Sequence, residues 1–225
     1  ILIGFLTPDE GDVLIAKEHR PKNNGKLAYE SVFRNSFYVK RTFGYAAQQP
    51  SFYTQLTVIE NMDYFATLYG LPGKTKKNNI YTLLNTMELY DSKNTLAQNL
   101  SGGMQRRLDI ACSLVHDPKI LLMDEPTADI DPVLSNQIWK LIKRINKKGT
   151  TIVVATHHLS DLESISSRIG ILFKGELSFV GTVSEIINKV SKCQEIHIET
   201  YPGNYDRILS KLQEDCIVKK ENRGY

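Results

Sequence analysis

Two short runs of this chain are apolar at nearly every position: Ile120-Leu121-Leu122-Met123 and Thr151-Ile152-Val153-Val154-Ala155. Strands buried on both faces of a parallel sheet read this way, whereas a strand with one wet face alternates. Around them, apolar residues recur at helical spacing. Val58, Met62, Phe65, Ala66 and Tyr69 predict a helix over 57–69, and Ile80, Leu83, Leu84 and Met87 predict one over 77–90. After Ser101 the inward positions are Leu108, Ala111, Cys112 and Val115, and Pro118 closes the helix. Asp131 and Pro132 form an N-cap followed by proline in the first turn, opening a helix through Leu134, Ile138, Leu141, Ile142 and Ile145 to a stop at Gly149.

Shorter signals fill the gaps. Segments 12–15 and 43–46 read as short strands, 159–167 as a helix, and 168–180 as a hairpin turning at Lys174-Gly175. The stretch 17–40 is polar and basic with little period, which predicts loop and irregular structure. Ile1 to Leu6 is apolar and runs into Thr7-Pro8-Asp9-Glu10-Gly11, so it reads as the second half of a helix whose start lies outside these residues. Helices alternating with apolar strands argue for an α/β domain built on a mostly parallel sheet. Near Ser191 the pattern restarts, with an edge-like strand at 195–199 and an amphipathic stretch at 205–212. The expected organisation is therefore one domain over 1–190 and the start of a small subdomain over 191–225.

Composition narrows the function classes only a little. A hydrophobic share of 41% and a charged share of 24% are ordinary for a globular protein. A net charge of +3 with dispersed lysines gives no reason to expect nucleic acid, and Lys74, Lys76 and Lys77 read as a solvated loop. Cys112, Cys193 and Cys216 lack metal-ligand spacing and suggest a reducing compartment. No apolar run approaches the roughly 18 residues that span a bilayer, so spanning helices, if needed, would come from elsewhere.

The chemistry concentrates at two places. Asp124 and Glu125 end the 120–123 strand and are followed by Pro126-Thr127. Two adjacent carboxylates at a strand end suit Mg²⁺ and the polarisation of an attacking water. Ser101-Gly102-Gly103 joins an N-cap hydroxyl to two glycines at a helix start, where backbone N–H groups can approach an anion. Either feature alone has a bland reading, as a loop start or a common helix cap. Their order and their separation of about 20 residues make the pair specific.

On those residues the chain resembles the ATP-hydrolysing subunit of ABC transporters. Leu100 to Gln105 is similar to that family's signature motif, and Ile120 to Glu125 to its Walker B strand and catalytic glutamate. The resemblance implies a P-loop NTPase-like α/β fold with a helical subdomain near 50–115 carrying the signature. It implies Glu125 as general base, Asp124 as Mg²⁺ ligand, and Gln48 as a Q-loop contact to Mg²⁺ and water. His157 would be the switch histidine sensing the γ-phosphate, while His158 is read as a loop residue and a metal role for the His pair is rejected. Ser101, Gly102, Gly103 and Gln105 would meet nucleotide held by a partner subunit, and Asp131 would belong to a D-loop reaching that partner. ATP and Mg²⁺ are thus the implied cofactors. The implied partners are a second copy in an ABC-type homodimer and a membrane permease on whose cytoplasmic face the subunit docks. Segments 56–61 and 179–182 look most like exporters of drugs, lipids or polysaccharides.

One element of the family pattern is not in these residues. No G-x-x-x-x-G-K-[ST] loop occurs, and Gly73-Lys74-Thr75 lacks the upstream glycine and strand that the phosphate loop needs. The expectation is that the chain as given does not hydrolyse ATP by itself, and the rival reading is an incomplete ABC-like module with a regulatory or structural role.

Overall fold

In the computed structural model, residues 1–22, 26–157 and 165–190 are described. They fall into two units, Ile1–Ile165 and the part from Ser166 onward. The first unit holds a three-stranded parallel sheet in the order β3 (Phe43–Ala46), β4 (Ile120–Asp124), β5 (Thr151–Ala155). Register runs without a break: Ala46 pairs with Met123, and Asp124 with Ala155. The parallel-sheet α/β class read from the pattern is what the chain adopts.

The uninterrupted apolar run of β4 has a direct cause. Leu121 and Met123 point into the larger core, with Met62, Leu84, Leu108, Ile138 and Ile142. Leu122 points the other way, into a smaller cluster with Ile15, Val32, Val39 and Phe43. A strand with a core on each face has no position left for a polar side chain. The larger core is supplied mainly by α2 (Val58–Leu68), α3 (Gly73–Thr86), α4 (Gly102–Leu114) and α5 (Pro132–Lys147). Thr57 and Glu60 cap α2 reciprocally, and Asp131 Oδ1 accepts from the amides of Val133 and Leu134 to cap α5.

Gly44 on β3 marks a contact that sequence pattern does not show. A Cβ there would lie 2.3 Å from the Ser113 carbonyl oxygen and 3.0 Å from Pro118 Cγ. The end of α4 therefore presses onto the β3 backbone. Gly44→Ala is expected to lower stability by roughly 1–3 kcal/mol, the range for forced overpacking, read as a drop in the urea midpoint at unchanged slope.

His116 closes the same region. Its Nε2 lies 3.0 Å from the Phe43 carbonyl, which only accepts, so Nε2 carries the hydrogen. Its ring stacks on Tyr69 at a centroid separation of 3.6 Å, and Nδ1 is buried with no partner among the described residues. Burial, outweighing the Phe43 hydrogen bond, pushes its pKa down to about 4. The unfolded chain, with a pKa near 6.5, takes up the proton first, so stability falls as pH drops through that window and levels off below about pH 4. The expected loss is on the order of 3 kcal/mol across the window. Urea midpoints at pH 7 and pH 5 should show a smaller decline in a His116→Phe variant than in the native chain.

Several expectations are corrected. Segment 17–40 is not irregular: β1 (Leu14–Lys22) and β2 (Lys26–Ser31) form an antiparallel pair, and α1 (Ser36–Thr42) follows with Asn35 as its cap. Cross-strand pairing holds that hairpin together, and a polar run carries no alternation to announce it. Residues 1–6 form a turn rather than a helix, with the Gly4 amide donating to the Ile1 carbonyl at 2.8 Å. Lys74, Lys76 and Lys77 lie in α3 rather than a loop, and Lys76 pairs with Asp63 at 2.7 Å. β5 is less buried than its composition suggests, alternating between half-buried and exposed residues with Val153 at 42% exposure. The helix expected at 159–167 falls mostly on 158–164, outside the described residues, as do all of 191–225.

The second unit contains an antiparallel hairpin of β6 (Ile169–Phe173) and β7 (Glu176–Gly181), then α6 (Val183–Val190). Its turn falls at Lys174-Gly175 as expected, both residues having positive φ. Among the described residues, no helix is long and apolar enough to cross a membrane.

Candidate functional site

The three parallel strands end at one edge of the sheet, and the chain leaving each strand carries a residue singled out above. Ala47-Gln48 follows β3, Asp124-Glu125 ends β4, and Thr156-His157 follows β5. In open α/β sheets this C-terminal edge is where ligands bind. Parallel register thus brings Gln48, the adjacent pair Asp124 and Glu125, and His157 to one edge of the sheet from three distant stretches of sequence. Gln48 is exposed, and Asp124 is half-buried.

Glu125 is the centre of the arrangement. Its backbone has φ 45°, and its amide donates to the Ala155 carbonyl at 2.9 Å, bending the chain off β4 toward the end of β5. The carboxylate accepts from Thr156 Oγ1 at 2.9 Å, from the His157 amide at 3.0 Å, and meets His157 Nδ1 at 2.7 Å. An ionised carboxylate only accepts, so the Nδ1 proton lies on the histidine. Burial by itself would raise the Glu125 pKa, but the hydrogen bonds from His157 and Thr156 outweigh it and hold the carboxyl below its usual range. Glu125 is therefore an ionised base at neutral pH. With about four acceptor sites on a carboxylate, it retains capacity to take a hydrogen bond from water.

The turn at 101–103 has one packed glycine and one open one. Ser101 Oγ accepts from the Met104 amide at 3.4 Å, capping α4. Gly103 is held by packing, since a Cβ there would come within 3.2 Å of Leu134 Cδ1 on α5. Gly102 is exposed, and a Cβ on it would meet nothing within 4 Å. Gln105 Nε2 donates to the Ala97 and Leu100 carbonyls, both at 3.2 Å, so this side chain braces the turn from behind. Asp131 spends its carboxylate on the α5 cap, which fixes the loop after Thr127.

Sequence reasoning missed the residue that ties these parts together. Arg106 is 6% exposed and uses its guanidinium on five acceptors. Nε donates to the Pro126 carbonyl at 2.9 Å, Nη1 to the Ala47 carbonyl at 2.7 Å and to Asp109 Oδ2 at 3.3 Å. Nη2 donates to the carbonyls of Asp124 at 3.0 Å and Glu125 at 3.1 Å. Asp109, fully buried, also accepts from the Ser51 amide at 2.9 Å and hydroxyl at 3.0 Å. Burial dominates both members of the pair, raising the Asp109 pKa and lowering that of Arg106. The available signal was weak: a charged i, i+3 pair on a face otherwise made of Leu108, Ala111 and Cys112.

Comparison with known proteins bears on the family and the fold. Residues 1–128 match the family model described as "ABC transporter". The chain is 31% identical over 222 residues to the "Probable multidrug ABC transporter ATP-binding protein YbhF" of Escherichia coli, which covers 99% of the chain and 35% of the relative. It is 32% identical over 151 residues to the "Linearmycin resistance ATP-binding protein LnrL" of Bacillus subtilis, covering 67% of the chain and 49% of that protein. The chain thus spans between about a third and a half of the length of these relatives. A solved "ATP binding subunit of ABC transporter" superposes at TM-score 0.68 with 23% identity over 94% of the chain and 80% of that structure, a likeness of fold.

Proposed function

We propose, from the premise that this chain belongs to the ABC transporter family, that it is part of an ATP-binding and ATP-hydrolysing subunit that powers export by a membrane permease. The observation that carries this reading is the Glu125 carboxylate, ionised and gripped by Thr156 and His157, beside Asp124 at the C-terminal edge of a parallel sheet.

The roles follow from position and chemistry. Glu125 takes a proton from the attacking water, Gln48 orients that water, and His157 reads the terminal phosphate. Mg²⁺ favours oxygen donors and is commonly held by one or two carboxylates together with phosphates and water. Asp124 and Gln48 offer that donor set, so the residues present fit the metal. When bound, Mg²⁺ would neutralise charge on the β- and γ-phosphates. Ser101, Gly102 and Gly103 would receive nucleotide held by a second copy across a two-fold interface, with Gln105 bracing that turn. Asp131 fixes the loop that approaches the partner. The proposed location is the cytoplasmic face of a membrane, without nucleic acid.

Fractionation and activity test the reading together. The intact protein that carries this chain should sediment with membranes and show Mg²⁺-dependent ATP hydrolysis. Recovery with ribosomes or DNA, or no ATP turnover in the intact protein with its permease, would overturn it.

A further inference from the structure

We propose that Arg106 is a positioning residue that sets the spacing between Gln48 and Glu125, and that links both to the turn at 101–103; this rests on the ATP-hydrolysis reading above. The sheet cannot do this by itself. The β3–β4 register ends at Ala46 and Met123, in each case two residues short of Gln48 and Glu125. Beyond that point β4 is still held to β5, through Asp124 and the Glu125 amide on Ala155, but no ladder pair ties it to β3. Arg106 bridges the gap by donating to the carbonyl before Gln48 and to the three consecutive carbonyls of Asp124, Glu125 and Pro126.

The choice of arginine matters. A guanidinium has five N–H donors in a fixed planar fork. Four of the contacts here go to backbone oxygens and one to Asp109, whose second oxygen anchors the Ser51 amide and hydroxyl on the same post-β3 loop. The clamp therefore grips the loop after β3 at two places, Ala47 and Ser51. Arg106 also sits one helical turn beyond Gly102 and Gly103 on α4. A ligand that shifts the first turn of α4 moves the clamp, and with it the backbone under both reacting-side residues. Displacements of about 1 Å at such groups can change rates by about 10²-fold.

Arg106→Lys separates positioning from mere structure. It keeps the charge facing Asp109 but offers three donors from one point instead of a fork. In the intact protein, kcat for ATP is expected to fall about 10²-fold while KM stays within about twofold. Amide hydrogen exchange should quicken by about tenfold at 47–49 and 124–128, with the rest of α4 and the sheet unchanged. Unchanged kcat per folded molecule, or exchange that rises evenly across the chain, would overturn the proposal. If the lysine variant does not fold, exchange in the unaltered protein decides. The clamp requires 47–49 and 124–128 to open as one unit with a shared opening free energy, and distinct opening energies would overturn it. An unaltered protein without ATP turnover would remove the hydrolysis reading, while the exchange results would still judge the clamp.

Discussion

Replacing Glu125 by glutamine is expected to lower ATP hydrolysis by the intact protein about 10²–10⁴-fold, the range supplied by a positioned general base, while ATP binding persists. Glutamine is nearly the same size, and its carbonyl oxygen can still accept from Thr156 or from the His157 amide. What it loses is basicity and half of its acceptor capacity. The fold should therefore survive and the chemical step should not. Because His157 and Thr156 hold the native carboxyl below its usual range, hydrolysis should show no loss assignable to Glu125 as pH falls from 8 to 6. A depressed carboxyl contributes stability above the unfolded pKa and loses it as pH falls through the folded one. The Glu125→Gln variant should accordingly lose less stability on acidification below about pH 4.5 than the native protein. Initial rates against ATP concentration decide the main point: a glutamine variant within a few-fold of native turnover removes Glu125 as the base.

The second large effect concerns stability. Asp109→Leu leaves the Arg106 guanidinium 6% exposed without its ion-pair partner and strips the Ser51 amide of its acceptor. Breaking a buried pair from one side costs about 3–5 kcal/mol, which for a domain of this size lowers Tm on the order of 10 °C. The double variant Arg106→Met/Asp109→Leu removes the uncompensated charge and should lose less than the sum of the single changes. It should not return to native stability, because the carbonyls of Ala47, Asp124, Glu125 and Pro126 lose their donor. Thermal unfolding of the four proteins in the cycle measures this directly. Additive losses would mean that Arg106 and Asp109 are not coupled.

Both residues lie on one helix, yet only part of that helix could be read in advance. The apolar face of α4 and its serine cap are local facts, set by residues three or four positions apart. Four of the five partners of Arg106 are backbone carbonyls 18 to 59 positions away. A carbonyl carries no residue identity, so nothing in the amino-acid order marks it as an acceptor. The same distinction separates the strands. β4 was legible because two cores force apolar residues on both of its faces. The β1–β2 hairpin was not, because backbone pairing is indifferent to its polar side chains. At the site itself, the carboxylates at a strand end supplied Glu125 and the resemblance supplied His157, as separate candidates. The direct contact of Nδ1 with Oε1 depends on where two strands end in space, and only the fold supplies it.

Gly102 leads to a conclusion about how this chain can be improved or spoiled. A Cβ added to it would meet nothing within 4 Å, and it opens a helix that alanine would favour by up to about 1 kcal/mol. A screen for heat-resistant variants, run without nucleotide or a second copy, would therefore rank Gly102→Ala as an advance. On the reading proposed here the same methyl group occupies ground reserved for another molecule's phosphates. Robustness and usefulness pull this position in opposite directions, and an assay for the first is blind to the second.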